Sequence, residues 1–287
     1  MILQNHGVSE DLISRALDGS KKFFALGEEE KRKYHLAGLG GARGYTGFGV
    51  ETAKGSTKYD LKEFWHLGRD LPPGHRYQDK MPPNVDVKEG DFSGVTKEIF
   101  TALDALGGRV LEALAVHLGQ ERGYFGDKVD AGNSILRVIL YPPLARDGED
   151  GATALANAGH VRAAAHEDIN LITLLLGADE GGLQIQRKDG TWLAVHPPPG
   201  CVTCNIGDML QRLSNERLPS TTHRVVNPAA DRAHLPRYSM PFFLHPNPDF
   251  LIDTLATCVS EKYPNRFPTP ITSDDYLQER LREIGLK

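Results

Sequence analysis

Two periods divide the chain. Up to about residue 131 the apolar positions recur every three or four residues. From Ile135 they come in short runs broken by Gly, Pro, Asp and Asn. The first pattern predicts helices and the second strands, because side chains return to one face every 3.6 residues on a helix and every two on a strand. The opening "MILQNHGV" reads as a strand, followed by a helix that Ser9 caps and that carries Leu12, Ile13, Ala16 and Leu17 on one face. In "DLKEFWHLGRDLPPG" positions 64–67 read as a strand, closed by the Pro72-Pro73 turn. The clearest helix puts Ile99, Leu103, Leu106, Val110 and Leu114 on one stripe and stops at Gly119. Gly107-Gly108 in its middle should loosen or bend it.

After the change of period, "SILRVILYPP", "NLITLLLG", "GGLQIQRKDGTWLAV", "GCVTCNIGD", "STTHRVVNP" and "RYSMPFFLHP" are β-like runs at near-regular spacing. Such a series predicts a mainly β fold with flanking helices, a sandwich or barrel of jelly-roll type. Gly177 ends the second run, and Asp189-Gly190 marks a hairpin. "DMLQRLSN" reads as one helical turn, and "TSDDYLQERLREIG" as a closing helix with a Ser/Asp cap and Gly285 as its stop.

A chain of 287 residues is long enough for one large or two small domains. The formal charge of −5 and the lack of a basic run give no electrostatic case for nucleic acid. No stretch approaches a membrane span, and the start lacks the basic and long apolar regions of a signal peptide. Three cysteines cannot all pair with one another; Cys201-x-x-Cys204 has no second pair and Cys258 is isolated, so all three read as structural. A cytoplasmic location is expected. The Gly-rich "GLGGARGYTGFGVETAKGST" is no phosphate loop, since Lys54 precedes Gly55; it reads as a mobile or tightly turning loop near a site.

Chemistry concentrates in "AAAHEDINLITLLLG". If His166 and Asp168 lie on a strand, they share a face and Glu167 takes the other. They are then two ligands of one metal ion, or an ordinary polar strand end; one H-x-[D/E] match is no more than chance supplies. Among downstream histidines, His196 precedes three prolines and His234 lies in a loop. His245 ends a strand against Pro246 and is the weaker choice. His223 sits inside a β run between Thr221-Thr222 and Val225-Val226. Two His and one carboxylate, with other coordination positions open, is the arrangement of non-haem Fe(II) oxygenases. Farther on, Arg237 and Ser239 lie two apart in "RYSMPFF". There a planar guanidinium and a hydroxyl on one strand face suit a carboxylate, in a wall that Met240, Pro241, Phe242 and Phe243 keep apolar.

His166-x-Asp168, His223 and Arg237-x-Ser239 together resemble the iron- and 2-oxoglutarate-dependent dioxygenases of the isopenicillin N synthase-like superfamily. "NHGV", "YPP", "GGLQI", "NIGDMLQRLSN" and "HRVVNP" are similar in the same order, so the resemblance covers nearly the whole chain. It implies a distorted double-stranded β-helix with a long supporting helix. Residues 132–250 would form the oxygenase core, 1–131 a mostly helical N-terminal region and 251–287 a helical tail, in one integrated catalytic domain. It also implies that His166, Asp168 and His223 bind Fe(II), while Arg237, Ser239 and Tyr141 hold the distal carboxylate of 2-oxoglutarate. With O2, a small-molecule substrate is oxidised, usually hydroxylated, as the cosubstrate becomes succinate and CO2.

Two departures qualify the resemblance. Many plant members carry Asn-Tyr before the matching Tyr-Pro, where this chain has Ile139 and Leu140, so an apolar pocket floor is expected. Family chains usually begin with a strand and helix before "NHG", so a shortened N-terminus is expected here. Arg43, Tyr45, Phe64, His66 and Arg137 lie in segments that approach the site in relatives, and an Arg-lined pocket would favour a small acid or amino acid. Three rivals stay open: an oxidase that uses no 2-oxoglutarate, an ethylene-forming type, and a non-enzymatic sandwich-type binding domain. The oligomeric state is left open.

Overall fold

The computed structural model describes residues 1–52, 57–88, 90–144, 156, 158–176 and 180–283. The chain begins β1 (Ile2–Leu3), α1 (Glu10–Phe24), α2 (Glu28–Arg32), β2 (Gly44–Thr46), β3 (Glu63–Gly68), α3 (Phe92–His117) and α4 (Gly126–Val129). From the change of period follow β4 (Ile135–Tyr141), β5 (Ala163–His166), β6 (Ile172–Leu176), β7 (Leu183–Gln186), β8 (Trp192–Ala194) and β9 (Val202–Ile206). Then come α5 (Asp208–Leu213), β10 (His223–Val225), β11 (Arg237–Leu244), β12 (Leu251–Ile252), β13 (Ile271–Thr272) and α6 (Ser273–Glu283).

Besides the two-stranded pair β12-β13, the strands among the described residues form a seven-stranded sheet, β1-β9-β6-β11-β4-β3-β2, and a four-stranded sheet, β5-β10-β7-β8. Successive strands from β4 to β11 cross between the two, apart from the β7–β8 hairpin, as a jelly roll requires. Phe64, Ile139 and Tyr141 of the large sheet meet Ala163, Leu183 and Val225 of the small one in one buried cluster, so the sheets face each other. The other face of the large sheet packs on the helices through Trp65, Leu136, Val138, Leu174 and Phe242. This architecture is the double-stranded β-helix.

Local signals explain the helices. Ser9 caps α1 by accepting from the Leu12 amide at 3.5 Å. Gly119, at φ +73°, follows the last residues of α3, as the sequence implied. Three expectations need correction. The opening strand is only two residues long, because the backbone turns at Asn5 (φ 51°) and Gly7 (φ 78°). Helix α3 runs uninterrupted through Gly107-Gly108. Gly107 instead allows close packing: a Cβ there would stand 2.3 Å from Leu244 Cδ1 on β11. And "DMLQRLSN" forms a six-residue helix, not a single turn. Part of the Gly-rich segment is strand β2, with Gly44 at φ +72° against the Tyr34 carbonyl. The proposed stops Gly177 and Gly285, and Lys54-Gly55, lie outside the described residues.

Candidate active site

Strands β5 and β10 are antiparallel neighbours, and their register sets His166 opposite His223. The two rings lie 4.4 Å apart between centroids, tilted by 52°. Each Nδ1 bonds the carbonyl two residues back: His166 to Ala164 at 2.7 Å, His223 to Thr221 at 3.1 Å. A carbonyl only accepts, so Nδ1 carries a proton, and the neutral form of each ring presents its lone pair at Nε2. Burial and the neighbouring His223 push His166 down to about 4, which keeps that lone pair free at neutral pH.

Asp168 completes the group, but not as expected. It does not share a strand with His166. Strand β5 ends at His166, and Asp168 lies in the connection that carries the chain to β6 in the other sheet. Its carboxylate is aimed by side chains: Thr173 Oγ1 donates to Oδ2 at 2.7 Å, and Asn170 Nδ2 donates to Thr173 Oγ1 at 2.9 Å. Oδ1 remains 3.8 Å from His223 Nε2. One ligand atom from each of His166, Asp168 and His223 lies within 4.8 Å of the other two. No other such group occurs among the described residues, and His196, His234 and His245 stand outside it.

At the far end of the large sheet's inner face, Arg237 on β11 is in register with Tyr141 on β4, and Ser239 with Ile139. Arg237 is only 3% exposed. Its Nε donates to the Glu180 carbonyl at 3.0 Å, and its Nη1 has no partner among the described residues. Its guanidinium stands 5.1 Å from the centre of the Tyr141 ring. Ser239 is buried beside it. The wall is less uniformly apolar than expected. Met240 and Phe242 turn into the helix-side core, leaving Pro241 and Phe243 on the face of Arg237. For the same reason Ile139 lines the inside while Leu140 packs outside, so the apolar floor is one residue, not two.

Between these ends the inner face carries charge. Arg137 Nε donates to His66 Nε2 at 2.6 Å, while Nη1 and Nη2 hold the Glu51 carboxylate at 2.9 and 3.1 Å. Its guanidinium lies 4.3 Å from the centre of the Phe64 ring. Lys62 reaches Glu51 at 2.7 Å and Asp60 at 2.8 Å, and Asp60 accepts from the Ala164 amide of β5 at 2.9 Å. Burial would raise the Glu51 carboxyl, but Arg137 and Lys62 outweigh it and hold it well below the usual range. Burial and Arg137 keep His66 neutral. Arg43 differs. It is 1% exposed, its Nη1 donates to the Ala42 carbonyl at 2.7 Å, and Nε and Nη2 have no partner among the described residues. It crosses the inner face directly over Gly68, where a Cβ would stand 2.0 Å from its guanidinium carbon. Tyr45 does not reach this face: its hydroxyl donates to Glu63, itself paired with Lys31 at 2.7 Å, and its ring packs on Phe23.

The profile of the 2OG-Fe(II) oxygenase superfamily matches residues 132–246. The profile of the non-haem dioxygenase in morphine synthesis N-terminal region matches 1–89. A 2-oxoglutarate-Fe(II) type oxidoreductase of Aspergillus fumigatus is 32% identical, covering 98% of this chain and 82% of its own. The chain belongs to the 2OG-Fe(II) oxygenase superfamily. A Caulobacter crescentus crystal structure assigned to this oxygenase family has a TM-score of 0.88 at 52% identity, over 99% of this chain and 89% of its own. A full-length Neurospora crassa protein, crystallised with alpha-KG and thymine, has a TM-score of 0.83 at 32% identity, over 98% and 86%. This oxygenase is therefore an Fe(II)- and 2-oxoglutarate-dependent dioxygenase, and the rival without 2-oxoglutarate is not favoured. Among its described residues no helix is long and apolar enough to cross a membrane.

Several residues around the oxygenase site were not singled out from sequence. Asn170 and Thr173 left a signal, as polar positions inside the quoted "HEDINLITLL" run. Glu51, Asp60, Lys62 and Gly68 left none, because their contacts join segments remote in sequence. The buried imidazoles carry a prediction. Burial holds His166 and His245 down to about 4, whereas an unfolded histidine titrates near about 6.5. Between those values the unfolded chain binds more protons, so stability falls as pH drops from about 6.5 towards 4 and is unaffected by these groups above that window. Urea unfolding of the metal-free protein across this range should show the decline, with a shallower slope in His245→Gln. A slope equal to wild type in that variant would contradict it.

Proposed function

We propose that His166, Asp168 and His223 hold Fe(II), that Arg237, Ser239 and Tyr141 hold the distal carboxylate of 2-oxoglutarate, and that the enzyme hydroxylates a small organic acid. The observation that carries the substrate class is Arg43, a buried guanidinium with two nitrogens unpartnered among the described residues. Arg137 is already committed to Glu51 and His66, so Arg43 is the cation left to meet a substrate carboxylate. The acid that acts on its charge, Asp70, makes no hydrogen bond to it among the described residues; a buried charge without a hydrogen-bonded counter-ion is costly, and a bidentate carboxylate relieves that cost.

The donor set fits the metal: two imidazole Nε2 atoms and one carboxylate oxygen, each oriented by a further hydrogen bond. When bound, iron with 2-oxoglutarate supplies the activation of O2: one oxygen atom goes to succinate as CO2 leaves, and the other forms the substrate hydroxyl. The chain's own work is orientation. Thr173 holds Asp168 Oδ2, so Oδ1 stays free for the metal. Arg237, inside the barrel, fixes the cosubstrate's reach. Phe64, His66 and Arg137 wall the substrate end, the Glu51–Arg137–Lys62 network keeping that wall rigid.

Succinate release across a panel of small carboxylic acids, amino acids and their neutral amides tests this. Acids should be turned over and their amides hardly at all, and Arg43→Gln should raise the KM for the acid. Equal turnover of acid and amide would overturn the substrate class. Gly68→Ala should act likewise, because its methyl displaces the Arg43 guanidinium: the KM for the acid rises while the dissociation constant for 2-oxoglutarate stays near wild type. A Gly68→Ala variant with unchanged KM would argue against Arg43 as the anchor.

A further inference from the structure

A second buried guanidinium stands beside Arg237. Arg162, in the residue before β5, is 1% exposed. Its Nη2 donates to the Leu235 carbonyl at 3.0 Å, and its Nε has no partner among the described residues. The guanidinium lies 5.9 Å from the centre of the same Tyr141 ring that Arg237 approaches at 5.1 Å. The nearest acid, Glu180, does not neutralise them: its carboxylate is turned to Arg232 at the surface, and only its carbonyl meets Arg237. Two like charges in a dry interior repel strongly, and each also loses its hydration. Burial and Arg237 push Arg162 down to about 10, and burial lowers Arg237 as well. Such a pair needs an anion between or beside its members.

We propose that Arg162 is a second binding residue for the distal carboxylate of 2-oxoglutarate, so that this end of the barrel is a two-arginine clamp around Tyr141. The inference rests on the reading that Arg237 receives that carboxylate and adds a residue to it. It also accounts for the chemistry of the clamp: two cations beside an aromatic ring favour a dicarboxylate over a keto acid with an apolar tail. The bond from Arg162 to the Leu235 carbonyl ties the start of β5 to the segment entering β11, so it places the second guanidinium where β11 presents the first.

The test is anaerobic calorimetric titration of the Fe(II)-loaded protein with 2-oxoglutarate and with 2-oxovalerate, which has the same keto acid head and no distal carboxylate. Arg162→Met should raise the dissociation constant for 2-oxoglutarate by roughly tenfold or more and leave that for 2-oxovalerate unchanged. The ratio of the two constants is what decides, since a merely structural loss weakens both ligands together. Arg162→Lys, which keeps the charge without the fork, should lie between wild type and Arg162→Met, and it serves if Arg162→Met does not fold. An unchanged ratio in both variants overturns the proposal. Arg237→Gln in the same titrations separates the two readings: a changed ratio there with an unchanged ratio at Arg162 refutes the clamp alone. Unchanged ratios at both positions refute the carboxylate site as a whole.

Discussion

His223→Ala will bind Fe(II) at least about 100-fold more weakly than wild type while keeping its fold. Loss of a group that merely orients a ligand already costs roughly 10–100-fold in metal affinity, and loss of the ligand itself costs more. His166→Ala and Asp168→Ala should behave alike, because one ligand atom from each stands within 4.8 Å of the others. The fold should survive. Open catalytic sites add less to folding than closed structural ones. The large sheet and its helix-side core also lie on the opposite side of the strands from the ligands. Anaerobic Fe(II) titration with circular dichroism reads both quantities. Wild-type iron affinity in His223→Ala would remove that residue from the site and bring His245 forward, since it too is buried.

Arg237→Ala should raise the dissociation constant for 2-oxoglutarate by roughly 30-fold or more. Truncating one partner of a buried, charge-assisted pair costs about 2–5 kcal/mol, and each 1.4 kcal/mol is about tenfold. Arg237 has what this requires: it is almost fully buried and keeps Nη1 unpartnered among the described residues. Arg237→Lys should recover only part of the affinity, because an ammonium cannot reproduce two parallel bonds. Calorimetric titration of the Fe(II)-loaded variants measures both effects. Should Arg237→Ala bind 2-oxoglutarate as wild type does, the cosubstrate's carboxylate is held elsewhere.

Much of the candidate site was legible because its chemistry is repeated over short distances. Arg237-x-Ser239 lie two apart on one regular strand, so alternation alone placed them on one face. The common side of Phe64, His66, Arg137 and Tyr141 comes instead from the β3–β4 register, which pairs His66 with Arg137 and Phe64 with Ile139. Alternation failed where the backbone was not a strand. Asp168 reaches the two histidines from a connection between sheets, held there by Thr173 and Asn170. Tyr45 lies in a strand and still misses the site, because its face is occupied by Phe23 and Glu63. Gly107 illustrates the limit for helices: its intrinsic cost predicted a bend, but close approach to Leu244 gives it a packing role.

By itself, the sequence determined the change from helical to strand period at Ile135, the jelly-roll class and the choice of two His and one carboxylate as a candidate metal set. Each of these depends on residue type and on local periodicity, which a linear chain displays directly. Only the tertiary structure decided that Arg162 stands beside Arg237, that Glu51 and Lys62 pair around Arg137, and that Arg43 lies over Gly68 with Nε and Nη2 unpartnered among the described residues. Those contacts join groups as far as 86 positions apart in the chain. A charge's protonation, partners and cost depend on burial and on neighbours brought together by sheet pairing, and neither is encoded in the residues adjacent to it.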